Sequence, residues 1–211
     1  MTRRLFCALS LLMLPAACSS PRAEEPSPAE PAAQGPAPDT VLVAAPEADE
    51  GGVAYFAGGC FWGVEYYLEA MDGVLDVQSG YMGGHVDNPT YAQVSSHDSG
   101  HLETVKVEYD PTKIGYAEIA KRFFEIHDPT QKNGQGPDIG PQYKSAVFYV
   151  NDAQKDAAKG LIDQLVARGY DVATELRPAD TFWIAEGYHQ DYYAGNGKTP
   201  YCHARVRRFG D

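Results

Sequence analysis

The residue whose neighbours best equip it for covalent chemistry is Cys60, in the run Val53-Ala54-Tyr55-Phe56-Ala57-Gly58-Gly59-Cys60-Phe61-Trp62-Gly63-Val64-Glu65. The run has strand character, breaks at two glycines, and then starts a pattern in which Val64, Tyr67, Leu68 and Met71 fall at helical spacing. Cys60 is therefore expected at a helix N-terminus. Unpaired backbone N–H groups and the positive end of the helix dipole favour an anion there, which biases the sulfur toward a nucleophilic thiolate. Gly58 and Gly59 allow a tight turn and are expected to keep bulk away from the thiol. Phe61 and Trp62 follow at once and can supply an apolar wall for a small substrate group. The competing reading is an inert buried cysteine with two aromatic rings in the core.

The second sulfur is Cys202, which follows the glycine- and proline-bearing stretch Ala194 to Cys202. That composition predicts a mobile tail. With Cys7 and Cys18 assigned to the N-terminal leader described below, Cys60 and Cys202 are the two thiols of the domain, and they can pair as a structural staple or as a redox couple. No CxxC or HxxxH spacing accompanies them, so a zinc site is not expected. His101 and His127 keep a Cys-His hydrolase or acyltransferase open, in which a histidine takes the thiol proton.

These residues need elements to hold them. The periodicities predict a strand over Val53–Ala57, a helix over about Phe61–Met71, and strands over Val74–Tyr81 and Glu103–Tyr109. A helix over Tyr116–Ile126 and a strand over Ser145–Val150 complete the order β-α-β-β-α-β. A further helix, Ala153–Arg168, has Asn151 or Asp152 as cap and Gly169 as stop, and Val172–Leu176 reads as another strand. The expected fold is an α/β (α+β) two-layer sandwich with a ferredoxin-like split βαβ core, a mixed sheet and additional helices. The connections Met82–Leu102 and Asp128–Lys144 are too long to be passive and too rich in aromatic residues and proline to be disordered.

Residues 1–18 read as an export signal, with Arg3-Arg4, an apolar run from Leu5 to Leu14 that is too short to span a bilayer, and small residues ending at Cys18. The ending resembles a bacterial lipoprotein signal that makes Cys18 the lipidation site. Pro15 stands where that pattern has leucine, so cleavage after Ala17 is the alternative. Residues 19–50 hold seven prolines, seven acids and one base, supply −6 of the net charge of −12, and read as a disordered spacer holding residues 51–211 away from a membrane. A pI near 4.8 and no basic cluster beyond Arg205–Arg208, itself read as a solvated tail, argue against nucleic-acid binding.

Seven fragments then fall in order along the chain. They are Gly58-Gly59-Cys60-Phe61-Trp62-Gly63, Gly80-Tyr81-Met82-Gly83-Gly84, Asn88-Pro89-Thr90-Tyr91, Gly100-His101-Leu102-Glu103, Tyr109-Asp110-Pro111, His127-Asp128-Pro129-Thr130 and Asp138-Ile139-Gly140-Pro141-Gln142-Tyr143-Lys144-Ser145. From Val53 to Cys202 the chain resembles the A-type peptide methionine sulfoxide reductases.

The resemblance implies that Cys60 attacks the sulfur of methionine S-sulfoxide, free or in proteins, while Glu103 donates the proton the oxygen needs. It implies that Tyr91 and Tyr143 donate hydrogen bonds to that oxygen, that Asp138 helps fix the site's water and charge, and that Phe61 and Trp62 contact the terminal methyl. Cys202 would resolve the Cys60 sulfenic acid as a disulfide, for reduction by an external dithiol such as a thioredoxin-like protein. No metal or organic cofactor is implied. The loop Gly197-Lys198-Thr199-Pro200 departs from the usual pattern, which has proline after Asn196 and one residue fewer. The resemblance and the leader together predict a monomeric enzyme of the bacterial periplasm or cell envelope that repairs oxidised exported proteins.

Overall fold

A computed structural model describes residues 52–210; the expected signal, Cys18 and the spacer lie outside the described residues. Eight strands and five helices follow in the order β1 (Gly52–Gly58), α1 (Phe61–Glu69), β2 (Val74–Met82), α2 (Tyr91–Ser95), β3 (Leu102–Tyr109), α3 (Tyr116–Ile126), β4 (Gly134–Gln135), β5 (Asp138–Ile139), β6 (Ser145–Tyr149), α4 (Asp152–Ala167), β7 (Glu175–Pro178), β8 (Trp183–Ile184) and α5 (Tyr192–Asn196). The main sheet has the order β7-β6-β1-β3-β2-β8, and β4 and β5 form a separate hairpin. β6 and β7 run parallel and every other pairing is antiparallel. The four central strands thus realise the expected split βαβ arrangement, with β3 inserted between β1 and β2.

Both faces of β1 are covered, which is why it reads as a continuous apolar run and not as an alternating one. Ala54 and Phe56 face a large core built with α1, α3 and α4. Tyr55 and Ala57 face a smaller cluster with Met82, Leu102, Ala146, Phe148 and Phe182. Phe56 stacks on Phe123 of α3 with centroids 4.8 Å apart. Each such ring, fully removed from water, contributes about 1.5–3 kcal/mol before entropy is subtracted. α4 starts at the predicted cap, where the Asn151 side chain accepts from the Gln154 N–H at 2.9 Å, and it ends before Gly169 at φ +89°.

Several expectations are corrected. The strand expected at Val172–Leu176 lies later, at Glu175–Pro178, where Ala146 to Tyr149 offer it a parallel partner. β8 was not expected; as two residues paired with Gly80 and Tyr81 it carries no periodic signal. The two long connections are ordered: Met82–Leu102 contains α2, closed by a capping box between Thr90 and Gln93, and Asp128–Lys144 contains the β4–β5 hairpin. The basic run is not a solvated tail. Arg205 pairs with buried Glu125 at 2.8 Å, and Arg208 donates to the Phe124 and Glu125 carbonyls. The C-terminal stretch continues from α5, which overlaps its start, and brings Cys202 into the core. Its glycines measured permissiveness of the backbone, while remote side chains decide its position. Among the described residues no helix is long and apolar enough to cross a membrane.

Candidate active site

Because β1 and β3 are antiparallel, the end of β1 meets the start of β3, so Cys60 and Glu103 arrive at the same edge of the core from opposite strand ends. Cys60 is the N-cap residue of α1 and is 7% exposed. Gly59 precedes it at φ +97°, where a side chain would be strained, and a Cβ there would stand 2.3 Å from Gln135 Cβ. The glycines therefore make room for Gln135 and Phe123, and not, as expected from sequence, for open space around the thiol.

Glu103 is 2% exposed, and its Oε2 accepts from the Phe61 N–H at 3.1 Å. Burial outweighs that hydrogen bond and, aided by the charges of Asp138 and Cys202, pushes its pKa up to about 8. At neutral pH this carboxyl keeps its proton. The sequence alone would have left a glutamate in a strand exposed to solvent.

The thiols depart from expectation. Cys202 neighbours Cys60, each sulfur shifting the titration of the other, and both are free and buried. The neighbouring Cys202 sulfur, then burial, then Glu103 raise Cys60 above the usual thiol range, and only the Trp62 backbone N–H opposes them. The Cys60 thiol, with His203 behind it, lowers Cys202. In the resting pair the proton stays on Cys60, so the helix end alone does not make it a thiolate.

Tyr91 and Tyr143 come from α2 and from the turn Pro141–Tyr143, and burial raises both phenols, with the Glu103 charge adding to it. They lie side by side, close enough for the Tyr143 hydroxyl to stabilise charge on the Tyr91 oxygen. Asp138, in β5, accepts from the Tyr201 hydroxyl at 2.9 Å through Oδ1, while Oδ2 is buried without a hydrogen-bond partner among the described residues. The fold thus gathers Cys60, Glu103, Tyr91, Tyr143, Asp138 and Cys202 around one point.

The aromatic wall divides in two. Phe61 is 1% exposed and belongs to the core, while half-buried Trp62 stacks on Tyr192 at 3.6 Å and 6°. The Trp62 indole N–H donates to His189 Nδ1 at 3.2 Å, and the His189 ring also packs against Phe61 and Tyr91. His189, Tyr192 and His203 were not singled out from the sequence; the adjacency of a histidine to Cys202 was the one available signal.

His101 and His127 stand apart from the sulfurs. His101 pairs with the Val86 carbonyl and the Gly84 N–H, and His127 with the Phe123 carbonyl and the Ser145 hydroxyl. Neither contacts Cys60, which leaves the Cys-His hydrolase without its expected base. A separate cleft lined by Gln131, Lys132, Lys144, Ser145, Ala173 and Glu175 shares no residue with the cluster. Among the described residues no group of three or more His, Cys, Asp or Glu side chains is arranged to hold a metal ion.

Comparison with known proteins gives the same picture. The family model described as peptide methionine sulfoxide reductase matches residues 52–210. "Peptide methionine sulfoxide reductase MsrA 1" of Rhodopirellula baltica is 47% identical over 168 residues, covering 75% of this chain and 88% of the relative. The reduced form of Mxr1 from Saccharomyces cerevisiae superposes with a TM-score of 0.69 at 34% identity, over 75% of this chain and 95% of that one. Mxr1 in complex with Trx2 is also similar, with a TM-score of 0.50 at 26% identity, over 75% of this chain and 94% of that one. With its sulfurs, its neutral buried carboxyl and this match along the whole described length, the chain belongs to the peptide methionine sulfoxide reductase family.

Proposed function

We propose that the protein reduces the S epimer of methionine sulfoxide, free or in proteins, and that Cys60 and Glu103 carry the reaction. The observation that bears most weight is the buried Glu103 carboxyl, still protonated at pH 7 and fixed by the Phe61 N–H beside the Cys60 sulfur. A sulfoxide entering the site displaces the Cys202 thiol and so removes the largest influence holding the Cys60 proton in place. The Cys60 proton is released to solvent, from which Glu103 is later reprotonated, and the helix end and the Trp62 N–H favour the thiolate, which attacks the sulfoxide sulfur. Glu103 protonates the oxygen, aided by the neutral phenols of Tyr91 and Tyr143. The oxygen ends on Cys60 as a sulfenic acid and methionine leaves. Trp62 forms the apolar wall for the methyl group, supported from behind by Phe61, and Asp138 holds the polar side of the cluster.

Condensation of the sulfenic acid with Cys202 releases water and leaves a disulfide. An external dithiol protein of the thioredoxin kind reopens it, a reading supported by the similarity to Mxr1 bound to Trx2. The electrons come from thiols throughout, so no prosthetic group enters the scheme. We extend the proposal to a monomeric enzyme exported by residues 1–18, lipid-anchored through Cys18 in the periplasm or cell envelope, and repairing oxidised exported proteins.

One assay tests the reaction: the full chain is incubated with each enantiomer of a methyl sulfoxide and dithiothreitol, and sulfide is measured. Sulfide from the S form alone supports the proposal; sulfide from both forms overturns the stereochemistry, and thioester cleavage without sulfide selects a hydrolase. Cys60→Ser is expected to abolish sulfide production. Cys202→Ser is expected to give one equivalent per enzyme and then stall with a thioredoxin-type reductant; sustained turnover would remove Cys202 from the cycle. Retention of Cys18→Ala in the membrane fraction to the same extent as the parent would overturn the anchor.

A further inference from the structure

His203 follows Cys202 in the chain, is 4% exposed, and is held at both ring nitrogens. Nε2 lies 2.8 Å from the Gly58 carbonyl oxygen and Nδ1 lies 3.0 Å from Cys202 Sγ. A carbonyl oxygen can only accept, so Nε2 carries the hydrogen, and in the neutral form of the ring the lone pair is at Nδ1, toward the Cys202 sulfur. The tautomer is thus set by the strand that delivers Cys60. Room for the ring is provided by α1: a Cβ at Gly63 would stand 2.2 Å from His203 Nδ1. The backbone on either side of the ring is tied as well, with the Gln135 amide reaching the Cys202 carbonyl and the Tyr67 hydroxyl reaching the His203 carbonyl, each at 3.4 Å.

We propose that His203 is the catalytic base of the second half of the cycle, taking the Cys202 proton as the Cys60 sulfenic acid is resolved. This rests on the reading of Cys60 as the nucleophile. The Cys202 S–H proton passes to Nδ1 and the Sγ electron pair attacks the Cys60 sulfur. The S–S bond forms as the S–O bond breaks, so the Cys202 sulfur is oxidised and the Cys60 sulfur reduced. The hydroxide that departs takes the proton from the imidazolium and leaves as water, which returns the ring to its neutral form. No other oxidant or reductant is consumed. The remaining titratable groups around the pair do not compete for this step. In the resting pair the Cys60 thiol lowers Cys202 to about 6; once Cys60 is oxidised that thiol is gone, and burial and Asp138 raise Cys202, so its proton has to be taken, while Glu103 regains its own proton at neutral pH and both nitrogens of His127 are engaged elsewhere.

The test separates the two chemical steps in the full chain. The protein is mixed with methyl sulfoxide without reductant, quenched at intervals, and assayed for sulfide and for lost thiols. His203→Gln keeps an amide able to reach the Gly58 carbonyl but offers Cys202 no base. It is expected to lower the ratio of the disulfide-forming rate to the sulfide-forming rate by about tenfold or more, with a Cys60 sulfenic acid trapped by dimedone. His203→Ala is expected to regain the disulfide step as imidazole is added. An unchanged ratio in His203→Gln overturns the inference, as does equal slowing of both steps or failure of imidazole to accelerate His203→Ala. Absence of sulfide from the parent protein would instead overturn the reading of Cys60 itself.

Discussion

The two sulfurs meet from regions built on opposite terms. Cys60 is fixed by main-chain structure: β1 enters through hydrogen bonds to β3 and β6, the chain turns at Gly59, and α1 leaves from the sulfur itself. Cys202 lies beyond α5, outside any helix or strand, and its place depends on side chains: Gln135 on its own carbonyl, Tyr67 on the His203 carbonyl, His203 on Gly58, and Tyr201 on Asp138. A group on regular elements holds one geometry for attack, whereas a group clipped by individual hydrogen bonds can leave for a substrate and return. The proposed nucleophile is positioned by the fold, and its proposed resolving partner by contacts that each contribute about 0.5–1.5 kcal/mol.

That contrast can be broken from either side. The largest effect is expected from Glu103→Gln, which leaves the Cys60 end in shape but removes the proton donor: kcat/KM for sulfoxide should fall by about 100- to 10,000-fold, measured as sulfide formation under single turnover. The same variant should change stability in a signed way. The folded carboxyl titrates near 8 and the unfolded one near 4.5, so the parent loses stability as pH rises between those values, because the unfolded chain gives up its proton first. Urea melts between about pH 5.5 and 7, where the folded carboxyl keeps its proton and the unfolded one does not, should show the slope reduced by roughly 1 kcal/mol per pH unit in Glu103→Gln. Glu65, also pushed up to about 8, supplies slope that remains.

Next is Gly59→Ala, which forces a side chain into positive φ and into Gln135; a loss of about 2–5 kcal/mol is expected in denaturant melts. Gly63→Ala should act on the other region. Its methyl displaces His203 while α1 gains propensity, so disulfide formation should slow by about tenfold relative to sulfide formation. Gly195→Ala is expected to have the smallest effect, within about 0.5 kcal/mol, since nothing lies within 4 Å of the added atom. A large loss in Gly195→Ala would show that the tail is held by its backbone after all.

The same contrast explains what could be read from the sequence. β1, α1, α3 and α4 are written in local patterns: a buried apolar run, helical spacing, a cap at Asn151 and a stop at Gly169. The position of Glu103 was readable only through its motif, because strand propensity argues against a buried acid there and burial next to Phe61 depends on pairing between distant segments. β8 and the β4–β5 hairpin, at two residues per strand, have no period to detect. In the tail, Gly195 and Gly197 report only what a backbone is allowed to do. Whether it does so was decided by Gln135, Tyr67 and Glu125, far away in the chain. Trp62 and His189, separated by 127 positions, could not be connected by spacing at all.

With Cys202 buried beside Cys60, the proposed entry of a sulfoxide has to move that thiol aside. An unoxidised methionine offers the acid and the two phenols no oxygen to hold and gains little by evicting the thiol, whereas a sulfoxide brings a strong acceptor to all three. Apparent affinity is discounted by the fraction of time the site is open, a factor common to substrate and product, so discrimination rests on the contacts to the oxygen. If Cys202 resolves the sulfenic acid as proposed, the same thiol also weakens the hold on any bound side chain, repaired methionine included.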